Sequence, residues 1–307
     1  MNTNTQSNAM PEPHVESQAI APAVMSATRP MYWSVRRELW ENRSIYVAPL
    51  GAAAVFLFGF LINTMIQRHR IRAVAWTHET FAMPYEIAAA LIMGTAFIVG
   101  IFYSLDALYG ERRDRSILFW KSLPVSDLTA VLSKLSIPLV ILPLLSFAIT
   151  VATQLIMLLL SSVVLLGSGL SLATLWTHSS FFYVSLGLLY HILTVHGLWY
   201  APLYGWLLLA SAWAPRAPFL WAFLPPFVIC GVEKITFNTT YFLAMLERRV
   251  TGPEPPIPVP PGSPLMNSVM ALGPAQFFSE PGLWIGLAVA AAFLAAAVRL
   301  RRYRGPV

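Results

Sequence analysis

The sequence predicts an all-α, polytopic membrane protein with six transmembrane helices and both termini in the cytoplasm. Of its 307 residues, 57% are hydrophobic and only 11% are charged, whereas about a quarter of a typical soluble domain is charged. The apolar residues also occur in runs long enough to cross a bilayer, which takes about 20 helical residues. Because so few charges cannot cover a soluble globule of this size, the composition excludes a soluble fold.

Two segments precede the first span. Residues 1–29 are polar and contain prolines, without the apolar core of a signal peptide, so we expect a disordered cytoplasmic tail. Residues 31–43 predict an amphipathic helix in contact with membrane lipid, because its large apolar side chains share one sector opposite Ser34, Glu38 and Glu41. Its candidate interfacial residues are Trp33, Arg37 and Trp40.

Residues 30–307 are expected to form one transmembrane domain with six apolar runs. These runs cover approximately residues 44–66, 84–108, 135–166, 179–213, 217–232 and 282–298. The third and fourth are longer than one crossing needs, so they are expected to tilt or to protrude into water. The fifth contains Pro225-Pro226, which predicts a kinked or broken helix.

The positions of lysine and arginine orient the chain, because cytoplasmic loops carry an excess of both. With the N terminus in the cytoplasm, fourteen of the 20 basic residues fall in cytoplasmic segments and six fall outside. The cluster from Arg68 to Arg72 argues for the opposite orientation but is outweighed. We therefore expect a multi-pass protein of the plasma (inner) membrane, whose net charge of +6 reflects this bias rather than nucleic-acid binding.

The predicted outer loop, residues 233–281, is the longest connection between spans. Its part from Thr251 to Pro264 has seven prolines in fourteen residues, which predicts an extended and unpaired chain. The preceding piece from Ile235 to Leu246 is apolar enough to form a short helix on or in the outer leaflet.

Patterns for catalysis and metal binding are absent from the sequence. The dipeptide Gly-Lys does not occur, so there is no P-loop, and no HExxH motif is present. His191 and His196 are five residues apart, or about 140° around an α-helix, so packing is favoured over a shared metal site. Glu86 and Asp106 lie near opposite ends of the second span, so no buried charge relay is predicted and energy must come from elsewhere.

The predicted fourth span carries small and hydroxyl-bearing residues on about a third of its circumference. Small residues allow close helix contact and hydroxyls can bond across it, so packing is favoured over a face that lines a substrate pathway. The larger members of this face are Tyr183, Tyr190, Thr194 and Tyr204.

The connection between the second and third spans, residues 109–127, has the most distinctive sequence. A charged turn precedes a short helix with bulky apolar side chains, and Pro124 ends it. Ser126 is suited to cap the next helix, with Asp127 favourable in its first turn. An apolar patch flanked by charges is typical of a docking surface for another protein, and an interfacial anchor would use the same residues.

Nine residues of this connection match a family pattern: Glu111, Arg112, Ser116, Leu118, Ser122, Leu123, Pro124, Val125 and Ser126. They resemble the segment E-R-x-x-G-[ST]-hydrophobic, followed by S-L-P-[VI]-S, that joins the second and third spans of type-2 ABC transporter permeases. The six spans, the cytoplasmic termini and the amphipathic helix also look like that family. Arg115 stands where the family usually has glycine, so the turn is expected to differ.

The resemblance implies a mechanism in which the short helix, here about Asp114–Leu123, docks into a separate ATPase subunit that binds ATP and Mg²⁺. The amphipathic helix flanks this contact, and two permease subunits, identical or closely related, face each other. No cofactor is expected in this chain itself. The residues implied in ATPase coupling are Glu111, Arg112, Ser116, Leu118, Phe119, Trp120, Leu123 and Pro124.

The expected function is therefore that of a permease subunit, suited to export of a lipid, peptide or amphipathic small molecule. A second interpretation is a polytopic membrane enzyme that acts on lipid with His191 or His196 as acid or base, although no carboxylate shares their depth. A third is a non-catalytic membrane scaffold or immunity protein, which needs no ATPase.

Overall fold

The computed structural model describes residues 28–67, 78–122, 125–166, 181–253 and 273–305, and within these ranges the chain is helical without a β-strand. Predictions for the tail up to residue 27, the Arg68–Arg72 cluster, Leu123, Pro124 and most of the proline-rich stretch lie outside the described residues. The α-helices are α1 Thr28–Glu41, α2 Ser44–Gln67, α3 His78–Ala107, α4 Tyr109–Arg113, α5 Ser116–Ser122, α6 Asp127–Ser136, α7 Leu142–Leu166, α8 Phe181–His191, α9 Ala201–Trp213, α10 Pro218–Phe237, α11 Tyr241–Thr251, α12 Pro274–Ser279 and α13 Pro281–Tyr303. Two π-helices, π1 Ile137–Ile141 and π2 Ile192–Trp199, connect α6 to α7 and α8 to α9.

Five stretches are long and apolar enough to cross a membrane, and a bent pair adds a sixth crossing if it counts as one span. The pair consists of Ser185–Trp199 and Ala201–Trp213, which meet at 46°. The five stretches are Ser44–Ile66, Met83–Arg113, Asp127–Val163, Pro218–Phe237 and Pro281–Tyr303. The prediction of an all-α, membrane-spanning protein is therefore confirmed, with five to six spans.

The predicted fourth span is bent, and the bend lies beside π2. Pro202 has no N–H group, so the carbonyl of Leu198 lacks the partner that an α-helix would give it. Just before this proline, the N–H group of Tyr200 donates to the carbonyl of Val195 at 3.0 Å. The acceptor lies five residues back, which is the π-helical bond. Pro143 lies four residues after Leu139 of π1, so the Leu139 carbonyl also lacks an α-helical donor.

The predicted fifth span is one continuous helix, so of the two alternatives expected at Pro225-Pro226, a kink or a break, the break does not occur. α10 runs through both prolines and ends at Phe237, beyond the predicted boundary. The carbonyl of Ala222 loses its helical donor because Pro226 stands four residues on, but it accepts the indole N–H of Trp206 at 2.9 Å. This bond from α9 satisfies the carbonyl and allows the helix to continue.

α9 lies at the centre of the bundle, where it packs against α13 and α3. Gly205 of α9 lies against Ala290, whose carbonyl oxygen would be 3.4 Å from an added Cβ atom. Tyr204 packs against Gly100 of α3, where an added Cβ atom would lie 2.9 Å from the phenol oxygen. α2 and α10, in contrast, present most of their apolar side chains outward, as helices that face lipid do.

The two ends of the bundle are defined by α13, whose 23 residues rise about 34 Å. The Glu280 end is where α13 begins, and there Arg248 of α11 pairs with Glu280 at 2.7 Å. The Glu111 end is where Arg301 of α13 meets Glu111 of α4 at 3.2 Å.

The stretch from Ile235 to Leu246, predicted as one short helix, is divided between the end of α10 and the separate helix α11. A turn at Asn238, which has a left-handed backbone with φ of 51°, separates the two helices. The carboxylate of Glu233 accepts the backbone N–H groups of Tyr241 at 2.6 Å and Phe242 at 2.9 Å. Glu233 thereby caps the first turn of α11, where a negative charge is favourable.

Arg249 of α11 is inserted at the Glu280 end against Gly286 of α13. Its guanidinium donates to the carbonyls of Trp199 at 3.2 Å and Gly282 at 2.9 Å. It also lies over the Trp199 ring, 4.3 Å from the centroid. A Cβ atom on Gly286 would lie 2.7 Å from the guanidinium nitrogens, so this glycine admits the arginine.

Replacement of Gly286 by alanine is expected to displace the Arg249 guanidinium and to leave two carbonyls without their donor. The loss of about 1–3 kcal/mol should lower the melting temperature of the purified chain by several degrees. Gly59→Ala in α2, where an added Cβ atom meets nothing within 4 Å, is the matched control and should melt at or slightly above the wild-type temperature, because alanine favours a helix. Equal melting of the two variants would contradict the insertion of Arg249.

Candidate docking site at the Glu111 end

Five charged side chains from four helices meet inside the Glu111 end, and we call them the ion-pair cluster: Arg37 and Glu38 of α1, Glu111 of α4, Lys134 of α6 and Arg301 of α13. All except Arg37 are at most 8% exposed. The Lys134 ammonium lies 2.8 Å from Glu38 and 3.2 Å from Glu111. Arg37 also contacts both carboxylates, at 3.0 Å from Glu38 and 3.1 Å from Glu111.

Every carboxylate oxygen of Glu38 and Glu111 has a partner. The second oxygen of Glu38 accepts the hydroxyl of Tyr103 in α3 at 2.8 Å, and the second oxygen of Glu111 pairs with Arg301. Arg301 also bonds Asp127 at the start of α6, so three cations face three carboxylates. Buried charges are tolerated when they are paired and hydrogen-bonded in this way.

Arg37 connects the cluster to α5. Burial lowers the pKa of its guanidinium, but Glu38, Glu41 and Glu111 raise it by more, so the net pKa lies above its ordinary value and the charge is retained. The guanidinium also lies over the ring of Trp120, 3.6 Å from the centroid. A desolvated cation over tryptophan is a favourable contact, and it fixes α5 against α1.

Glu111 and Arg112, which the resemblance implies in coupling, point into the protein rather than onto its surface. Arg112 donates to the carbonyls of Ser211 and Ala214 at the C terminus of α9, where the helix dipole favours a cation. The Ser211 hydroxyl accepts the backbone N–H of Tyr109 at 2.9 Å, at the break between α3 and α4. Both charged residues therefore position the connection and are not available to contact a partner.

α5 exposes two large apolar side chains beside the exposed Lys121 and Ser122. Leu118 and Phe119 are 60% and 59% exposed, whereas the neighbouring Ile117 is buried and anchors the helix. Trp120 is half-buried and lies edge-on to Phe119, with 5.0 Å between the ring centroids. α5 thus presents two large apolar side chains on a helix whose other face is fixed.

Arg115, at the turn between α4 and α5, has a left-handed backbone with φ of 57°. The position where the permeases usually have glycine thus adopts a conformation that glycine favours, at a cost of about 1–2 kcal/mol for an arginine. The half-buried Ser116 follows, and its hydroxyl donates to the Glu111 carbonyl at 3.4 Å.

α1 turns Glu38 inward and its tryptophans outward, while Glu41 remains exposed. Trp33 and Trp40 are exposed, and the Arg36 guanidinium lies 5.2 Å and 4.6 Å from their ring centroids. Exposed tryptophans around a cation suit the headgroup region of a membrane. Glu38, which the helical projection places opposite the apolar side chains, is buried because that side packs on the bundle.

The two histidines of the fourth span lie closer together than predicted. The ring centroids of His191 and His196 are 5.4 Å apart, and the expectation that they face different sides is wrong. The reason is that residues 192–199 form a π-helix, whose turn contains more residues than that of an α-helix. The described residues contain no group of three or more His, Cys, Asp or Glu side chains that could hold a metal ion.

The other residues predicted on the fourth span are divided between α8, π2 and α9. Thr194 and Tyr204 are buried and Tyr190 is half-buried. Tyr204 packs edge-on to Phe97, with 6.2 Å between ring centroids, as a packing residue does. The side chain of Tyr183 lies outside the described residues.

Sequence reasoning missed Lys134 and Arg301 as members of the ion-pair cluster. Their spacing from buried apolar residues on the same helix is a weak signal: Lys134 follows Val131 by three residues, and Arg301 follows Ala297 by four. At the end of a span, however, a cation is equally typical of a cytoplasmic flank. The inward pairing therefore depends on carboxylates from other helices.

Comparison with known proteins gave no match for this chain among family models, curated proteins or solved structures.

Arg115→Gly is expected to keep or raise the thermal stability of the chain, because glycine adopts the left-handed backbone without strain. Arg113→Gly, in the neighbouring helix α4, should lower stability, since glycine costs about 1 kcal/mol inside a helix. Melting temperatures of the two purified variants check this. The reverse order would show that the turn is not left-handed at residue 115.

Lys134→Met is expected to destabilise the chain by about 3–5 kcal/mol, because Glu38 and Glu111 lose a buried counter-charge. Adding Glu38→Gln should recover part of the loss, as coupled residues do. Arg113→Met is the matched control: Arg113 pairs with Asp114 at 2.9 Å but lies in solvent, so its loss should change the melting temperature little. Similar melting of the Lys134 and Arg113 variants would contradict the cluster.

Proposed function

We propose that this chain is the membrane-spanning subunit of an ATP-driven ABC transporter, in which a separate ATPase subunit binds ATP and Mg²⁺ and supplies the energy. The observation that carries the proposal is the exposed apolar pair Leu118 and Phe119 on α5, which the ion-pair cluster holds through Trp120 and Arg37. The same segment resembles the short helix with which type-2 permeases dock into their ATPase. Six spans, with the bent pair counted as one, complete the proposed topology.

The chemistry around the apolar pair suits a protein partner. Arg113, Arg115 and Lys121 are exposed around α5 and would face acidic side chains at the rim of a groove. Leu118 and Phe119 would fill its apolar centre, where most binding energy is gained. Because α5 is already ordered by buried contacts, docking requires little loss of conformational entropy.

We propose that the protein lies in the plasma (inner) membrane, with the Glu111 end and both termini on the cytoplasmic side. Most of the described lysine and arginine residues lie at this end, against Lys234, Arg248 and Arg249 at the Glu280 end. An excess of basic residues marks the cytoplasmic side of a membrane protein. An ATPase that docks on α5 would have access to cellular ATP in this orientation.

The placement of buried charges supports a separate source of energy. Among the described residues, the buried charged side chains are Glu38, Glu111, Arg112, Lys134 and Arg301, and all lie at the Glu111 end. A proton or ion relay would need such groups along the depth of the membrane.

We also propose that the transporter exports a lipid, peptide or amphipathic small molecule. The exported molecule would pass between two permease subunits, this chain and a second copy or close paralogue.

Co-purification from the native membrane tests the proposal, with Phe119→Ser as the key variant. The tagged wild-type chain should retain a P-loop ATPase in about equal amount after gentle extraction. Loss of a large aromatic contact at the centre of an interface costs about 2 kcal/mol, so Phe119→Ser should reduce the retained ATPase by at least about tenfold.

Phe278→Ser is the matched control, because Phe278 is 49% exposed and lies at the Glu280 end. This variant should retain the ATPase fully. An intact, folded wild-type chain that never retains an ATPase would contradict the transporter and would favour the membrane scaffold or the membrane enzyme.

A further inference from the structure

α1 exposes two tryptophans with an arginine between them, and we call Trp33, Arg36 and Trp40 the aromatic clamp. Trp33 is 57% exposed and Trp40 is 66% exposed. The Arg36 guanidinium lies 5.2 Å from the Trp33 ring centroid and 4.6 Å from that of Trp40. The three residues are spaced by three and four positions, so they share one face of the helix. One cation is therefore held between two exposed indole rings.

The charge of Arg36 is not neutralised by the part of the protein that the structure describes. Arg36 forms no hydrogen bond or ion pair with a described residue, whereas the neighbouring Arg37 contacts three carboxylates. The acidic residues of α1 are Glu38 and Glu41, and both pair with Arg37, at 3.0 Å and 3.2 Å. The clamp thus presents a cation whose counter-charge must come from outside these residues.

The geometry of the clamp suits a phosphate. The contacts of Arg36 with the two rings use none of its N–H donors in a hydrogen bond, so these donors remain available. The planar fork of a guanidinium matches the oxygens of a phosphate, and a bond between two charged groups is stronger than a neutral one. Because the rings already restrict the arginine side chain, binding orders little that is mobile.

The clamp lies close to the membrane surface. The first membrane-spanning stretch begins at Ser44, four residues after Trp40. The ion pair of Glu38 with Lys134, at 2.8 Å, holds this part of α1 against the end of the bundle. Exposed tryptophans are enriched at the depth of the lipid headgroups. At this depth the phosphate within reach of Arg36 is that of a lipid.

Charge selects among the lipids that carry a phosphate. Arg43, which follows α1, is also exposed and has no ion pair with a described residue, so this side of the helix is cationic. A zwitterionic headgroup brings an ammonium group together with its phosphate, which weakens its attraction to a cation. An acidic headgroup brings no such group, and its attraction is about fivefold in binding for each basic residue near the surface.

We propose that the aromatic clamp binds the phosphate of an acidic phospholipid. The N–H groups of Arg36 donate to the phosphate oxygens, and the indole rings of Trp33 and Trp40 flank the headgroup. The site goes beyond the proposed function, because binding needs neither an ATPase nor a transported molecule. Since α1 also carries Arg37 and Glu38 of the ion-pair cluster, the bound lipid holds the base of α5 at the membrane surface.

Lipid retention by the full chain tests the site. The tagged chain is reconstituted in vesicles of equal parts phosphatidylglycerol and phosphatidylcholine and extracted gently, and the lipids that stay bound are counted by mass spectrometry. The wild type should retain phosphatidylglycerol over phosphatidylcholine by about fivefold. Arg36→Gln should bring this ratio close to one. Trp40→Leu, which keeps every charge, should lower it by about half, because one ring of the clamp is lost.

Arg43→Gln is the matched control, because it removes the same charge seven residues away from the clamp. This variant should keep most of the ratio. Equal losses in the Arg36 and Arg43 variants would show attraction to surface charge alone and would overturn the proposal, as would an unchanged ratio in the Arg36 variant. Loss of the ratio in an excess of inorganic phosphate would also overturn it, since the site would then bind a free anion.

Thermal unfolding in phosphatidylcholine nanodiscs separates binding from packing. The Arg36 and Trp40 variants should melt like the wild type there, because no acidic lipid is present and Arg36 has no bond to the bundle. A markedly lower melting temperature of both variants would assign the clamp to packing and overturn the proposal. Neither measurement depends on whether an ATPase is retained.

Discussion

Two carboxylates that are removed from water determine how the Glu111 end is built. Glu38 and Glu111 can be buried only if cations reach them, and those cations come from α1, α6 and α13, three helices far apart in the chain. These ion pairs hold the start of the third span against the end of the last span. They also hold α1 against both spans, so the apolar pair on α5 is presented from a rigid base.

α9 connects this base to the opposite side of the membrane. At the Glu111 end its last carbonyls accept hydrogen bonds from Arg112, and at the Glu280 end the neighbouring Trp199 and Tyr200 donate to backbone carbonyls of α11 at 3.2 Å and 2.8 Å. In the proposed transporter, a displacement of α5 would reach α11 through this one central span. The bend of 46° and the π-helix lie along that route, and π-helical turns occur frequently at functional sites.

The sequence predicted what depends on local pattern and missed what depends on contacts between distant helices. Apolar runs gave the membrane fold, and the short connection before Pro124 gave an exposed apolar helix. The inward turn of Glu111 was missed because its partners are 23 and 190 residues away. The histidine pair was misplaced because an α-helical projection does not apply to residues 192–199, which form a π-helix. The fifth span stayed intact because a tryptophan from α9 satisfied a carbonyl that no pattern within the span could reach.

In this structure the ion-pair cluster holds α1 and α5 together as one unit. Hydrogen–deuterium exchange of the full chain in nanodiscs, wild type against Glu38→Gln, measures this directly. Glu38 is bonded to Arg37, Lys134 and Tyr103, none of which belongs to α5, so a response of α5 would be relayed by these partners. Amides of both α1 and α5 are expected to exchange at least about tenfold faster in the variant. Faster exchange in α1 with unchanged exchange in α5 would contradict the linkage of the two helices by the cluster.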